Sequence, residues 1–232
     1  MSYRPVLRLL ALAPIVGMLV WGSQVFASGG LDPARADELA HRALPGPDDL
    51  PGGGWQITKQ DDFSHDPPPD TKACNNSAQQ IDQLGNQVDV GLAGRAEIEL
   101  TKDDLSIETT VEVYNDARPL ADGFSQIAVI FKGDNVVQCL VDSLKSEMGA
   151  GDDLSVKATE PLATLPSGAA GRGFDIALPS QNLALHSEQY HWLYGNTAVT
   201  VQLTGLPSDV TKEAAQFMVD GMQGALDYVS SH

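Results

Sequence analysis

Five histidines are the residues of this chain best suited to acid–base or metal chemistry. His186 and His191 are the closest pair, five residues apart in a stretch that alternates like a β-strand. Residues an odd number of positions apart in a strand point to opposite faces, so these two imidazoles cannot hold one ion together. His191 is expected in an exposed position beside Thr200. The others lie in a terminal helix, a loop and the last position of the chain: His41, His65 and His232.

The two cysteines, Cys74 and Cys139, each fall on the apolar side of a predicted helix. These helices cover Thr71–Leu84 and Asn135–Met148, and a glycine ends each of them. In an exported chain, two such cysteines favour a disulfide, with two buried free thiols as the alternative. Closing a loop of about 65 residues would stabilise the fold by about 4 kcal/mol in the chain-entropy model. Zinc is not expected, because neither cysteine has companion ligands at metal spacing.

Other motifs that could support chemistry are incomplete. No G-x-S-x-G nucleophile turn occurs, and neither glycine cluster has the lysine or the following helix that phosphate and dinucleotide loops need. Four glutamates alternate along a predicted hairpin, but a flat sheet face seldom converges carboxylates on one cation. These are Glu97, Glu99, Glu108 and Glu112. The sequence therefore predicts no catalytic residues, no cofactor and no metal site.

The strongest structural signal is a β-hairpin across 190–206, with Gly195-Asn196 as its two-residue turn. That turn opposes Tyr194 to Thr197 and sets the register of both strands. Tyr190 and Trp192 then share an apolar face with Val199, Val201 and Leu203, while His191 and Gln189 lie on a polar face. Core packing is the preferred role for Tyr190 and Trp192, and a ligand shelf is the alternative.

The remaining periodicities predict one α+β domain with a twisted antiparallel sheet covered by helices. A second hairpin spans 96–114, with its glutamates on a wet outer face. A helix begins near Asn115 and runs to about Lys132, and strand candidates follow at Leu154–Leu165 and Gly171–Leu178. The last helix is predicted to bury Ala214, Phe217, Met218, Gly221, Met222, Ala225 and Val229.

The N-terminus has the three parts of a secretory signal peptide: basic residues Arg4 and Arg8, an apolar run, and small residues ending at Ala27. An uncleaved membrane anchor is the alternative, although the apolar run is shorter than the ~18–20 residues a spanning helix needs. We therefore divide the chain into a signal segment (1–27), a linker with a short helix (28–50) and the α+β domain (51–232). Export to a secreted or extracytoplasmic location is expected.

The chain is strongly acidic, with 14 Lys and Arg against 31 Asp and Glu and a net charge of −17. Such a surface repels phosphate backbones and anionic lipid headgroups, so nucleic acids and anionic membrane surfaces are excluded as partners. The acidity itself is typical of a protein that stays soluble outside the cell.

Several short passages resemble those of exported bacterial sensor-like domains. They are Asp49-Leu50-Pro51 with Gly54-Trp55, the strand-to-helix passage from Val111 to Ala121, a helical cysteine, and the passage from Tyr194 to Val210. Together they resemble the PsbP/Mog1-like α+β group, which includes mycobacterial extracytoplasmic lipoproteins and external sensor domains of bacterial kinases. The resemblance implies a non-enzymatic domain and carries over no functional residues.

Two functions follow as predictions. The first is a non-catalytic extracytoplasmic binding or sensing module for a small apolar ligand or a protein partner. The alternative is a secreted hydrolase whose catalytic residues are dispersed along the chain. A titratable group with a shifted pKa beside a nucleophile would favour the hydrolase, and an apolar groove would favour the binding module.

Overall fold

The computed structural model describes residues 31–61, 70–87, 91–116, 123, 125–126, 129–130, 133–148 and 153–230. These residues form four α-helices and one seven-stranded antiparallel sheet, which confirms the α+β prediction. The helices are α1 (Pro33–Ala43), α2 (Lys72–Gln87), α3 (Asp134–Met148) and α4 (Lys212–Ser230). The strands are β1 (Gln56–Gln60), β2 (Leu92–Lys102), β3 (Leu105–Tyr114), β4 (Ser155–Thr159), β5 (Ala169–Leu178), β6 (Leu183–Tyr194) and β7 (Thr197–Gly205).

The strand order across the sheet is β1-β2-β3-β7-β6-β5-β4, so the two hairpins predicted from the sequence meet at its centre. The β6–β7 register is the predicted one: Tyr194 opposes Thr197, Trp192 opposes Val199 and Tyr190 opposes Val201. The β3–β7 and β5–β6 pairings extend this arrangement across the sheet, and side chains that oppose each other in register lie on the same face. The sheet therefore has two faces of very different composition.

The front face, defined as the side covered by α1 and α4, holds the larger apolar core. Ile107, Val111, Tyr190, Trp192 and Leu203 are among its fully buried side chains. Asp32 caps α1 by accepting from the Ala34 amide at 3.1 Å, and Pro33 occupies the first turn. The helix then packs its three buried alanines, Ala36, Ala40 and Ala43, against this core.

A glycine permits that close packing. A Cβ at Gly94 on β2 would lie only 2.4 Å from the backbone carbon of Ala36. Any larger residue would push α1 away from the sheet. This helix, which falls within 28–50, thus contributes directly to the front core.

The back face is apolar only toward β4, β5 and β6, where α3 covers it. Val136, Leu140 and Leu144 from α3 pack with Phe174, Ile176, Leu178, Leu183 and Leu185. The Cys74–Cys139 disulfide joins α2 to α3 with the two Cα atoms 4.6 Å apart, so the predicted bond is present in the structure. It fastens α2 to the helix that covers the sheet.

Three predicted details are wrong. The strand candidate at Leu154–Leu165 is strand only over Ser155–Thr159, because Pro161 cannot continue a ladder of hydrogen bonds. In α4 the buried stripe is Ala215, Met218, Val219, Met222 and Leu226, while Phe217 is 40% exposed and Gly221 is exposed. Met218 and Met222 are buried as predicted, and the helix starts at Lys212, directly after Thr211. The third is the exposed polar face of the sheet, which is buried in the structure.

The predicted signal segment lies outside the described residues, as does most of the helix predicted from Asn115 onward. Among the helices that the structure does describe, none has the length and apolar character to cross a bilayer.

Candidate functional site

A cavity of about 440 Å³ lies at one end of the front face, between the sheet and the start of α4. Its lining is mostly apolar: Leu105, Ile107 and Leu203 come from the strands, while Ala214, Phe217 and Met218 come from the helix. Trp55 and Pro51, just before β1, complete the wall. A volume of this size is within the range of small-molecule sites, roughly 300–1,000 Å³.

Three charged side chains also line the cavity: Lys102, Asp103 and Asp209. The Lys102 ammonium donates to the Gly52 carbonyl at 3.0 Å and lies 6.0 Å from the centre of the Trp55 ring. The indole N–H of Trp55 donates to the Pro51 carbonyl at 3.1 Å. The Trp55 ring is therefore held in a fixed orientation against the cavity, with Lys102 above it.

Local sequence explains how these groups are placed. Asp103 lies in the turn between β2 and β3 with a positive φ of 51°, which aspartate tolerates better than most residues. Asp209 lies in the turn after β7, where its amide donates to the Leu206 carbonyl at 2.9 Å. Thr211 then caps α4 by accepting from the Ala214 amide at 3.2 Å. Two tight turns thus bring charged residues to an otherwise apolar cavity.

A second cluster on the front face is a hydrogen-bonded chain that starts at Asp175 and ends at Tyr190. His186 Nδ1 lies 2.7 Å from Asp175 Oδ1, and its Nε2 lies 2.6 Å from Glu188 Oε1. The other oxygen of Glu188 accepts from the Tyr190 hydroxyl at 2.7 Å and from the Leu162 amide at 3.0 Å. We call these four residues, Asp175, His186, Glu188 and Tyr190, the His186 chain.

Gly173 on β5 leaves space for the His186 chain. A Cβ at Gly173 would lie 2.5 Å from Glu188 Oε1 and 2.3 Å from Thr159 Oγ1. The carboxylate of Glu188, which is 0% exposed, thus occupies space that a side chain at position 173 would fill.

The pKa of His186 is raised, chiefly by its hydrogen bond to Glu188 and also by Asp175. The pKa of Tyr190 is raised by burial and by its bond to the same carboxylate. Each nitrogen of His186 can donate to its carboxylate only when it carries a proton, so the arrangement suits the imidazolium. His186 therefore has no nitrogen left to take a proton from a nucleophile.

The back face over β2, β3, β7 and β6 is polar, as predicted, but it is buried rather than exposed. The residues on it that are at most 9% exposed are Glu97, Glu99, Ser106, Glu108, Thr110, Ser187, Gln189, His191, Gln202 and Thr204. We call them the polar back face. The predicted exposed position of His191 and the predicted wet face of the β2–β3 hairpin are therefore both wrong. Alternation places the side chains on one face, but it does not say whether that face is covered.

Many of these side chains bond to their neighbours across the strands. Ser187 and Thr204 hydroxyls lie 2.9 Å apart, and Gln189 Nε2 donates to Gln202 Oε1 at 3.3 Å. His191 Nδ1 lies 3.0 Å from Thr200 Oγ1. Such cross-strand pairs reduce the cost of burying polar groups.

Two residues of the polar back face, Glu108 and His191, have strongly shifted pKa values, and the pKa of Glu112 further along β3 is also shifted. Burial, reinforced by the nearby Glu97, raises the pKa of Glu108 to about 8. Burial lowers the pKa of His191 to about 3. Burial also raises the pKa of Glu112, although the Arg95 guanidinium 3.6 Å away opposes this. Around neutral pH, Glu108 and His191 are therefore mainly uncharged.

The structure describes most of the residues that the sequence singled out, while His65 and His232 lie outside the described residues. Tyr190 and Trp192 are 0% and 1% exposed and belong to the front core, which is their preferred role; a ligand shelf made by them stays a prediction. His186 and His191 point to opposite faces, as expected. The cavity and the His186 chain were not predicted from the sequence. Alternation did place His186, Glu188 and Tyr190 on one face of β6. The pairing of β5 with β6 brings Asp175 opposite His186, and this pairing could not be predicted because an irregular connector joins the two strands.

Comparison with known proteins supports the fold. No family model matches the chain, and no curated protein matches it significantly. Among solved structures, the extracellular domain of PknH from Mycobacterium tuberculosis is similar, with a TM-score of 0.52 and 12% sequence identity. The match covers 89% of this chain and 100% of that domain. At this identity the similarity is one of fold, and it agrees with the resemblance to external sensor domains of kinases; the PsbP/Mog1 and lipoprotein relationship stays a prediction.

Proposed function

We propose that this chain is an extracytoplasmic, non-catalytic binding or sensing module that takes a small, mainly apolar ligand into the front cavity. The cavity between the sheet and α4 is the observation that carries this proposal. The predicted signal segment and the fold shared with an extracellular domain support the location.

Apolar lining can supply the binding energy. A ligand that buries about 200 Å² of apolar surface would gain roughly 5 kcal/mol from transfer, before the cost of association. Trp55, Leu203 and Met218 are at most 8% exposed and belong to the packed front core, so this part of the wall exists before the ligand arrives. A small ligand fits a half-open cavity of this volume better than a protein partner does, because protein partners favour broad surfaces.

The geometry of His186 gives no support to the alternative of a secreted hydrolase. A catalytic histidine needs one nitrogen facing a nucleophile and the other facing an orienting group. In the His186 chain both nitrogens face carboxylates. The His186 chain therefore resembles a structural ion pair more than a proton-transfer site.

A cavity-filling substitution tests the proposal. Ala214 lines the cavity and Glu213, its neighbour on α4, is exposed and does not. We expect Ala214→Trp to weaken binding of the neutral fluorescent probe N-phenyl-1-naphthylamine at least about ten-fold, and Glu213→Trp to leave it unchanged. Equal binding by both variants, or no binding by the parent protein, would refute a ligand site in this cavity.

Identification of the natural ligand follows from the same protein. The exported protein should be purified without detergent and its bound small molecules identified by mass spectrometry after denaturation. A mainly apolar molecule that is present in the parent and depleted in Ala214→Trp would support the proposal. Turnover of generic esterase, peptidase, phosphatase or glycosidase substrates, lost on changing one histidine or serine, would instead favour the hydrolase.

A further inference from the structure

We infer that the ligand of the front cavity is an amphipathic cation, with an apolar body and a primary or quaternary ammonium head. This inference rests on the proposed function, since it assigns the chemistry of the same cavity. The charged groups at the cavity and the aromatic rings beside them carry the argument.

Carboxylates outnumber ammonium groups among the residues that line the cavity. Asp103 and Asp209 carry two negative charges against the single positive charge of Lys102. Asp104, half-buried in the same turn as Asp103, adds a further acidic group beside this end of the sheet. A ligand whose head is positive therefore balances the charges at the cavity, whereas an anionic head would add to the excess.

Lys102 is already committed to the protein. Its ammonium donates to the Gly52 carbonyl and lies over the Trp55 ring, so part of its charge is already balanced. An anion would have to draw Lys102 away from both contacts. Neither carboxylate has an ion-pair partner within 4.0 Å among the described residues, although Asp209 accepts a hydrogen bond from the Ser208 hydroxyl. The carboxylates are thus the groups with charge left for a ligand.

Aromatic rings at the cavity favour the same class of ligand. The negative face of an aromatic ring attracts cations, and Lys102 shows this geometry over Trp55. Phe217 also lines the cavity and is 40% exposed, so its ring remains open to a second cation. The net charge of −17 adds a long-range attraction for cations that salt will screen.

Three probes that share a ten-carbon chain and differ only in the head group test this inference. They are decyltrimethylammonium, decanol and decanoate, each titrated against the full chain below its micelle concentration by calorimetry. We expect decyltrimethylammonium to bind about ten-fold more tightly than decanol, and decanoate to bind more weakly than either. Raising NaCl from 0.05 to 0.5 M (roughly ten-fold) should shrink the cation's advantage to about three-fold.

Matched variants assign the preference to the cavity. The double substitution Asp103→Asn/Asp209→Asn should reduce the ratio of cation to alcohol affinity to about one. The control Glu160→Gln/Asp220→Asn removes the same charge from exposed acidic residues that do not line the cavity, and it should keep the parent ratio. Melting curves of both variants establish that each is folded before its affinities are compared.

The outcomes separate the two proposals. If none of the three probes binds, or if Ala214→Trp does not weaken them, the ligand site itself is refuted. If decanol binds but the cation is not preferred, or decanoate binds best, the cavity remains a ligand site and the cationic class is refuted. An unchanged ratio in the Asp103/Asp209 variant would also refute it.

Discussion

The two faces of the central sheet bury polar groups in opposite ways, and strand β6 shows both. On the front face, His186 lies between two carboxylates and its pKa is raised. On the back face, five residues further along, His191 Nδ1 lies 3.0 Å from Thr200 Oγ1, and burial lowers the pKa of the imidazole to about 3. The surroundings of one imidazole thus favour its charged form, and those of the other favour its neutral form.

The difference follows from what surrounds each ring. Burial penalises a charge, and only an opposite charge or a strong hydrogen bond can offset that penalty. Glu188 is 0% exposed and uses both of its oxygens, so His186 and Glu188 stabilise each other's charges. On the polar back face the free-energy cost of burying charge is instead lowered because Glu108 is protonated and His191 is neutral.

The contribution of the polar back face to stability therefore depends on pH, whereas that of the front core depends on packing. Substitutions on the front should change stability by similar amounts at every pH, except within the His186 chain. Substitutions on the back should change its pH dependence.

The largest effect is expected from Trp192→Ala on the front face. Trp192 is 1% exposed in the front core, and truncating such a ring costs roughly 3–5 kcal/mol through lost contacts and a residual cavity. Urea unfolding of the variant and parent at pH 7 measures this cost. The control is Phe217→Ala, whose ring is 40% exposed and should cost about 1 kcal/mol or less. A melting temperature close to the parent's for Trp192→Ala would mean that the ring is not core.

Local patterning was sufficient to predict much of this fold. The Gly195-Asn196 turn set the β6–β7 register, and the apolar stripe of α3 placed Cys139 toward the core. Both signals act between residues close in sequence, or through a turn of known geometry.

What could not be predicted depends on distant contacts. The cavity forms where Trp55, the β2–β3 turn and α4 converge, and the Asp175–His186 contact depends on how β5 pairs with β6. The burial of Glu108 and His191 was missed for the same reason, since alternation gives a side chain's face but not what covers it. For α4, two overlapping apolar stripes fit the sequence, and the tertiary packing selected the one through Ala215 and Leu226.

The second largest effect is expected at Glu108 on the polar back face. The folded pKa of Glu108 is about 8, against an ordinary value of 4.5, so the folded protein binds more protons between these pH values. The contribution of Glu108 to stability is therefore full below pH 4.5 and falls as pH rises to about 8. Glu108→Gln, an uncharged isostere, should be more stable than the parent at pH 8 by on the order of 3 kcal/mol. Urea unfolding midpoints measured at pH 5 and pH 8 check this, because these two pH values lie near the ordinary and the folded pKa of Glu108.

A suitable control for Glu108→Gln is Glu160→Gln, which is exposed and should leave the pH dependence unchanged. If Glu108→Gln loses the same stability as the parent between the two pH values, Glu108 is ionised in the folded protein and the back face is not neutralised.

A third prediction concerns His191, whose effect has the opposite sign. Its folded pKa of about 3 lies below the ordinary 6.5, so the unfolded chain binds more protons between them. Its stabilising contribution is present above pH 6.5 and is lost as pH falls toward 3. His191→Asn can keep a polar group near Thr200 Oγ1 and should lose less stability than the parent between pH 6.5 and pH 4, by roughly 2 kcal/mol. Identical acid sensitivity in both proteins would contradict a neutral His191.

The smallest effect, expected at His186, tests the front-face side of the comparison most directly. Because the pKa of His186 is raised above 6.5, its contribution is fully present below pH 6.5 and is lost as pH rises through the folded pKa. The charged groups that face it are Asp175 and Glu188, with Lys157 on β4 opposite Asp175. His186→Gln retains an amide that can donate to Glu188 but removes the positive charge.

We expect His186→Gln to lose more stability relative to the parent at pH 5.5 than at pH 9, as measured by urea unfolding. The imidazole can also be followed directly in the parent by NMR, where His186 should titrate above 6.5 and His191 should remain neutral down to acidic pH. If the two rings titrate together near 6.5, the difference between the faces disappears. If only the pKa of His186 is raised, charge pairing on the front face and neutralisation on the back face act independently within β6.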